Sequence, residues 1–163
     1  MHTIIRVGEI SVLFHQSRHE TGGVMDLFEF TVPPGVHIIV PHLHRQFDET
    51  IFGLDGITTW TVGDHTVEVK KTEQLFIPRG TPHRFANLHS STARAMCMLT
   101  PGLIGPEYYV ELGLLLSGDE PPDYAEIGAF MTSHGLIPLT SQDIPDTIPS
   151  DTSLDFRELG LIN

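Results

Sequence analysis

The chain has 163 residues, 40% of them apolar, with a mean hydropathy of +0.01, enough to bury the core of one soluble domain. Its formal net charge is -12; residues 111–163 hold ten Asp/Glu against Arg157 alone, and residues 1–110 hold eleven against eight basic residues. This balance excludes the basic footprint that nucleic acid demands, and no stretch approaches the roughly 18 apolar residues of a membrane span.

The opening Met1-His-Thr-Ile-Ile-Arg lacks the layout of a secretory signal, and the single cysteine, Cys97, excludes an internal disulfide framework. A cytoplasmic protein with Cys97 as a buried, inert thiol between Met96 and Met98 is expected.

Residues 1–102 read as a series of short strands. Residues 10–15, 24–32, 36–40, 50–54 and 57–62 are rich in β-branched and aromatic side chains. Residues 66–69, 74–78, 83–87 and 93–100 continue the series. Turns fall between them at Gly22-Gly23, Pro33-Pro34-Gly35, Asp55-Gly56, Gly63-Asp64 and Pro78-Arg79-Gly80. Strand spacing without helical periodicity predicts an all-β antiparallel sandwich or barrel.

The pattern changes after Pro101-Gly102. Pro106 opens a predicted helix over 107–116. Asp123 and Glu126 have capping-box spacing before a second helix over 127–134, which Gly135 closes. The expected organisation is a barrel over 1–102, a helical extension over 103–140 covering one end or face of it, and an acidic tail over 141–163. That tail, broken by Pro145 and Pro149, reads as a surface arm or a partly disordered segment, with a last helical turn over 153–159.

The chemistry concentrates in Pro41-His42-Leu43-His44-Arg45-Gln46-Phe47-Asp48-Glu49. On a strand, residues two apart face the same side, so His42 and His44 project together. Glu49 opens the next strand, and His83 follows a separate turn. Three neutral imidazoles and a carboxylate suit a first-row divalent ion. An isolated His-x-His is equally the mark of a solvated edge strand; the combination with Glu49 and His83 favours the metal. Asp48 competes with Glu49, but Glu49 shares strand parity with Ile51. His37 has parity opposite to His42, and His65 and His89 fall in turns or loops, so all three are expected outside the pocket. Phe85 and Asn87 share parity with His83. Phe85 is pocket wall or plain core, and Asn87 a pocket residue or a turn-fixing amide. Val40 and Ile51 are further lining candidates. Trp60 and Phe52 suit core, pocket or subunit interface; Arg79 and Arg84 suit an anionic substrate or surface salt bridges.

Gly35…His42-x-His44-x4-Glu49-x6-Gly56 resembles the first cupin motif, and Pro78-x-Gly80-x2-His83-x3-Asn87 resembles the second. The resemblance implies a double-stranded β-helix, or jelly roll, with His42, His44, Glu49 and His83 holding one divalent transition-metal ion: Zn, Fe, Mn, Ni, Co or Cu. Thr100-Pro101-Gly102, Glu107-Tyr108-Tyr109 and the helices ending at His134-Gly135 are similar to the tail of single-domain, quercetin 2,3-dioxygenase-like cupins. Leu136-Ile137-Pro138 stands where that group closes with Gly-Pro-Pro. The similarity implies a metal-dependent oxygenase acting on a small hydroxylated or enolisable substrate, with Glu49 accepting the substrate proton. A non-oxidative cupin, which binds a polar ligand or isomerises it, and a purely structural metal site remain the alternatives. A homodimer paired through its sheets is expected, with no nucleic-acid or membrane partner.

Overall fold

The computed structural model describes residues 4–144 apart from Ile39, Asp119, Pro121 and Ser141. Expectations for residues 145–163, including the helical turn at 153–159, lie outside the described residues.

The strands are β1 (Ile4–Val7), β2 (Ile10–Gln16), β3 (Asp26–Val32), β4 (His42–His44), β5 (Asp48–Asp55), β6 (Ile57–Val62), β7 (His65–Lys70), β8 (Gln74–Ile77), β9 (His83–Ala86), β10 (Ala93–Thr100) and β11 (Leu136–Pro138). Three helices join them: α1 (Arg18–Thr21), α2 (Gly105–Leu116) and α3 (Tyr124–Ser133). They form two antiparallel sheets, ordered β1-β2-β3-β10-β5-β8 and β11-β4-β9-β6-β7. This is the double-stranded β-helix, with helices following the strands.

Alternation on the strands supplies the core. Every second residue of β10, namely Ala93, Ala95, Cys97 and Leu99, is buried, while Arg94 faces out. Phe30 from one sheet meets Phe85 from the other at a ring-centroid distance of 5.3 Å, and Phe85 stacks on Trp60 at 4.7 Å. These rings span the interior between the sheets. The predicted turns at Gly35, Gly56 and Gly80 have positive φ, at 77°, 62° and 82°.

The expected strand over 36–40 is absent as a strand. Pro33, Pro34 and Pro41 remove backbone donors around it, leaving an isolated bridge from His37 to Ala86. The histidine strand is the shorter β4. The patterns of β1, α1 and β11 went unread, because each is too short to show a period. Of these, β11 matters most to the site. It pairs with β4 in the register Leu136↔His44 and Pro138↔His42, covering the edge of the strand that carries both histidines.

The predicted helices form close to their expected limits, α3 with the full Asp123–Glu126 capping box. Helix α2 lies against β1 so closely that a Cβ on Gly113 would stand 2.2 Å from the Arg6 carbonyl oxygen. Its N-terminus is held by Asp26, the fully buried first residue of β3. One carboxylate oxygen of Asp26 accepts from the Arg18 N–H at 2.6 Å, and the other from Ile104 and Gly105 at 3.1 Å each. A single buried carboxylate thus joins the barrel, α1 and the start of α2.

Replacing Asp26 with alanine strands two buried backbone donors, at Ile104 and Gly105, and a half-buried one at Arg18. The expected loss is about 3 kcal/mol of unfolding free energy in a denaturant titration, and a loss under about 1 kcal/mol would show that the junction is held by other contacts.

Candidate metal centre

His42 and His44 come from β4, and His83 sits directly opposite His42 on β9. Glu49 comes from the other sheet, on β5 between Leu99 of β10 and Ile77 of β8. The two sheets therefore face each other with imidazoles on one wall and a carboxylate on the other. His44 and His83 are each 1% exposed and Glu49 is 7% exposed. Water is largely removed from all three.

The ring orientations are set by backbone carbonyls. Nδ1 of His44 faces the Phe47 carbonyl at 2.7 Å, that of His83 the Thr81 carbonyl at 2.9 Å, and that of His42 the Val40 carbonyl at 3.2 Å. A carbonyl can only accept, so each Nδ1 carries a hydrogen, and each neutral ring presents a bare lone pair at Nε2. Metal-binding histidines are held by the same arrangement.

Nε2 of His44 and Nε2 of His83 each lie 3.2 Å from one oxygen of Glu49, Oε2. Nε2 of His83 is buried and makes no hydrogen bond. Two lone pairs and a carboxylate oxygen at that separation repel unless positive charge stands between them. A cation satisfies all three together; protons on the rings are the other way to fill the gaps. The donor atoms of His44, Glu49 and His83 all lie within 4.8 Å of one another, so these residues fit a metal ion.

His42 lines the same cavity, its ring centroid 4.6 Å from that of His83 and 6.3 Å from that of His44, but it stands outside that close trio. Burial, reinforced by His83, lowers its pKa to about 3, so its ring is neutral at pH 7. Burial alone would raise the Glu49 carboxyl; where protons on His44 and His83 fill those gaps, the hydrogen bonds and charges of the two rings outweigh burial and hold the group well below the usual range. Glu49 is ionised.

The second oxygen of Glu49 is also occupied. Sγ of Cys97 donates to Oε1 at 3.1 Å. Burial, with the Glu49 charge beside it, pushes the thiol pKa well up, so it stays protonated and serves as a donor. The sequence shows Cys97 only as an apolar position. Its contact with Glu49 depends on the pairing of β10 with β5.

Asp48 faces elsewhere: its oxygens accept from the Arg79 backbone at 2.8 Å and from the guanidinium at 2.7 and 3.0 Å. Val40, Phe85 and Trp60 line the cavity. Two lining candidates need correction. Ile51, opposite Cys97, is enclosed in the core, and Asn87 binds the Val32 and Ser91 carbonyls at 2.9 and 2.8 Å and the His89 N–H at 3.1 Å, fixing a loop. His37 lies off the cavity with neither ring nitrogen hydrogen-bonded, His65 is exposed beside Asp64, and His89 pairs with Glu68. Phe52 is absent from the lining, and Arg84 is buried on β9. Sequence reasoning missed the helical contribution: Tyr108, Tyr109 and Leu112 of α2 and Met131 of α3 complete a cavity of about 110 Å³.

Residues 28–99 match the family model described as cupin domain. An uncharacterized protein of Methanocaldococcus jannaschii is 29% identical over 92 residues, which cover 56% of this chain and 72% of that protein. A predicted oxalate decarboxylase of Thermotoga maritima is 15% identical with a TM-score of 0.53, over 61% of this chain and 99% of its own. A sugar phosphate isomerase from a cupin superfamily, from Silicibacter pomeroyi, is 17% identical with a TM-score of 0.52, over 60% of this chain and 62% of its own. These two solved structures share the fold alone. The cupin-domain match covers residues 28–99, less than half of the chain, and no described helix is long and apolar enough to cross a membrane.

His44→Ala and His83→Ala should each weaken divalent-metal binding by at least ~100-fold in competition with a chromophoric chelator. Asp48→Asn should leave that affinity unchanged. The same variant should alter acid stability: Arg79 holds the Asp48 carboxyl at about 2 in the folded chain, below its ordinary 3.8. A depressed carboxyl stabilises above its unfolded value, so the contribution is lost as pH falls from about 4 to about 2, and Asp48→Asn should flatten the unfolding curve in that window.

Proposed function

We propose that this protein is a metal-dependent oxygenase of the quercetin dioxygenase-like type, acting on a small hydroxylated or enolisable organic substrate. One observation carries the reading: the convergent donors of His44, Glu49 and His83 open into a largely apolar cavity, so a ligand can approach the ion from that side. A purely structural site would be closed by four protein ligands.

His44, Glu49 and His83, with His42 alongside, would hold a redox-active divalent ion, which when bound would supply Lewis acidity and a route for electrons between substrate and dioxygen. The protein residues do the rest. The carbonyls of Phe47 and Thr81 keep the imidazoles aimed inward. The ionised Glu49 is the group placed to accept a proton from the substrate, while Cys97 holds its Oε1. The neighbours that keep Glu49 ionised also make it a weak base. It therefore suits an acidic enol or phenol rather than an aliphatic alcohol. The apolar walls exclude water from the reacting group.

The test is oxygen consumption by protein purified without a chelating tag and reconstituted in turn with Fe, Mn, Co, Ni, Cu and Zn, against enolisable and phenolic substrates. Uptake with redox-active ions and none with Zn is expected, and Glu49→Gln should lower kcat at least ~100-fold at saturating metal. Substrate conversion without oxygen consumption would replace the oxygenase by the non-oxidative cupin.

A further inference from the structure

The cavity above the metal centre has a composition of its own. Among the described residues that line it there is no lysine and no arginine. Its ionisable groups are the histidines and Glu49 at one end and Tyr108 and Tyr109 from α2. The remaining wall is aliphatic or aromatic, and includes Leu112 and Leu116 of α2, Ile127 and Met131 of α3, and Phe30 and Trp60.

Anionic phosphates and dicarboxylates need fixed cations or a nest of donors to offset their desolvation, and this wall supplies neither. Size narrows the choice further. The cavity measures about 110 Å³, below the about 150 Å³ of an apolar cavity that binds benzene, so a single ring is the upper bound on what it encloses. Tyr109 stands among Phe14, Phe28 and Phe30, with ring centroids at 5.8, 5.1 and 6.0 Å. Tyr109 is half-buried, and no hydrogen bond among the described residues engages its hydroxyl.

We propose that the cavity takes an uncharged, predominantly apolar molecule of about one six-membered ring, whose hydroxyl or carbonyl pairs with the Tyr109 phenol. This rests on the reading above, in which the metal end is the reactive end, and it deepens that reading by naming the substrate class. Helices α2 and α3, which lie outside the barrel strands, set this selectivity.

The single tryptophan, Trp60, lines the cavity and is 1% exposed, so its fluorescence reports occupancy directly. The full metal-loaded chain is titrated with 4-ethylphenol, ethylbenzene, glucose 6-phosphate and a three-ring flavonol. 4-Ethylphenol should bind at least ~30-fold more tightly than glucose 6-phosphate and the flavonol. Tyr109→Phe should weaken 4-ethylphenol about 5-fold, the worth of one neutral hydrogen bond, and leave ethylbenzene unchanged. Equal or tighter binding of the phosphate or the flavonol overturns the proposal, as does a Tyr109→Phe variant that weakens both one-ring compounds alike. Oxygen uptake separates the two readings. Tight one-ring binding without uptake removes the oxygenase and leaves this assignment; uptake with the flavonol alone removes this assignment and leaves the oxygenase.

Discussion

A carboxylate oxygen and two imidazole lone pairs held 3.2 Å apart in an apolar interior cannot stand together without positive charge among them. The fold keeps them there. His44 and His83 are tied by Nδ1 to backbone carbonyls, and Glu49 is gripped at its far oxygen by Cys97. None of the three can easily turn to water to relieve the repulsion. The geometry is held in advance of the cation that it suits.

That constraint reaches the rest of the molecule through two junctions. The edge of β4 is sealed by β11, which arrives only after the chain has run through both helices. The start of α2 is held by Asp26, whose buried carboxylate collects three backbone donors from the starts of α1 and α2. The helical segment is therefore part of the site as well as its cover. It closes the edge of the histidine strand, and it contributes Tyr108, Tyr109, Leu112 and Met131 to the cavity wall. The apolar wall excludes water, which strengthens the electrostatics at the donors and limits what can enter.

Much of the site was legible because strand parity is a local property. His42 and His44, two apart on β4, both face the cavity, as alternation requires; Ile38 and Val40 line it from the irregular segment before β4, and His37 lies off it. Glu49 over Asp48 followed from the same rule, and Arg79 explains where Asp48 goes instead. Parity also has a limit. It selects a side of a strand, and it does not say whether that side meets the cavity or is filled by a neighbour. Ile51 shares the parity of Glu49 yet is enclosed in the core, opposite Cys97. Asn87, of the same parity as His83, turns both ends of its amide to backbone.

The sequence alone determined most of the strands and turns, the two longer helices with the capping box of α3, and the residue types able to hold a cation, because each depends on contacts within a few positions of the chain. Only the tertiary structure decided that Cys97 would meet Glu49, that Tyr108 and Tyr109 would enter the cavity, and that residues 136–138 would pair with the histidine strand. Those contacts join residues tens of positions apart. They follow from how two sheets and two helices pack, and no local periodicity encodes that packing.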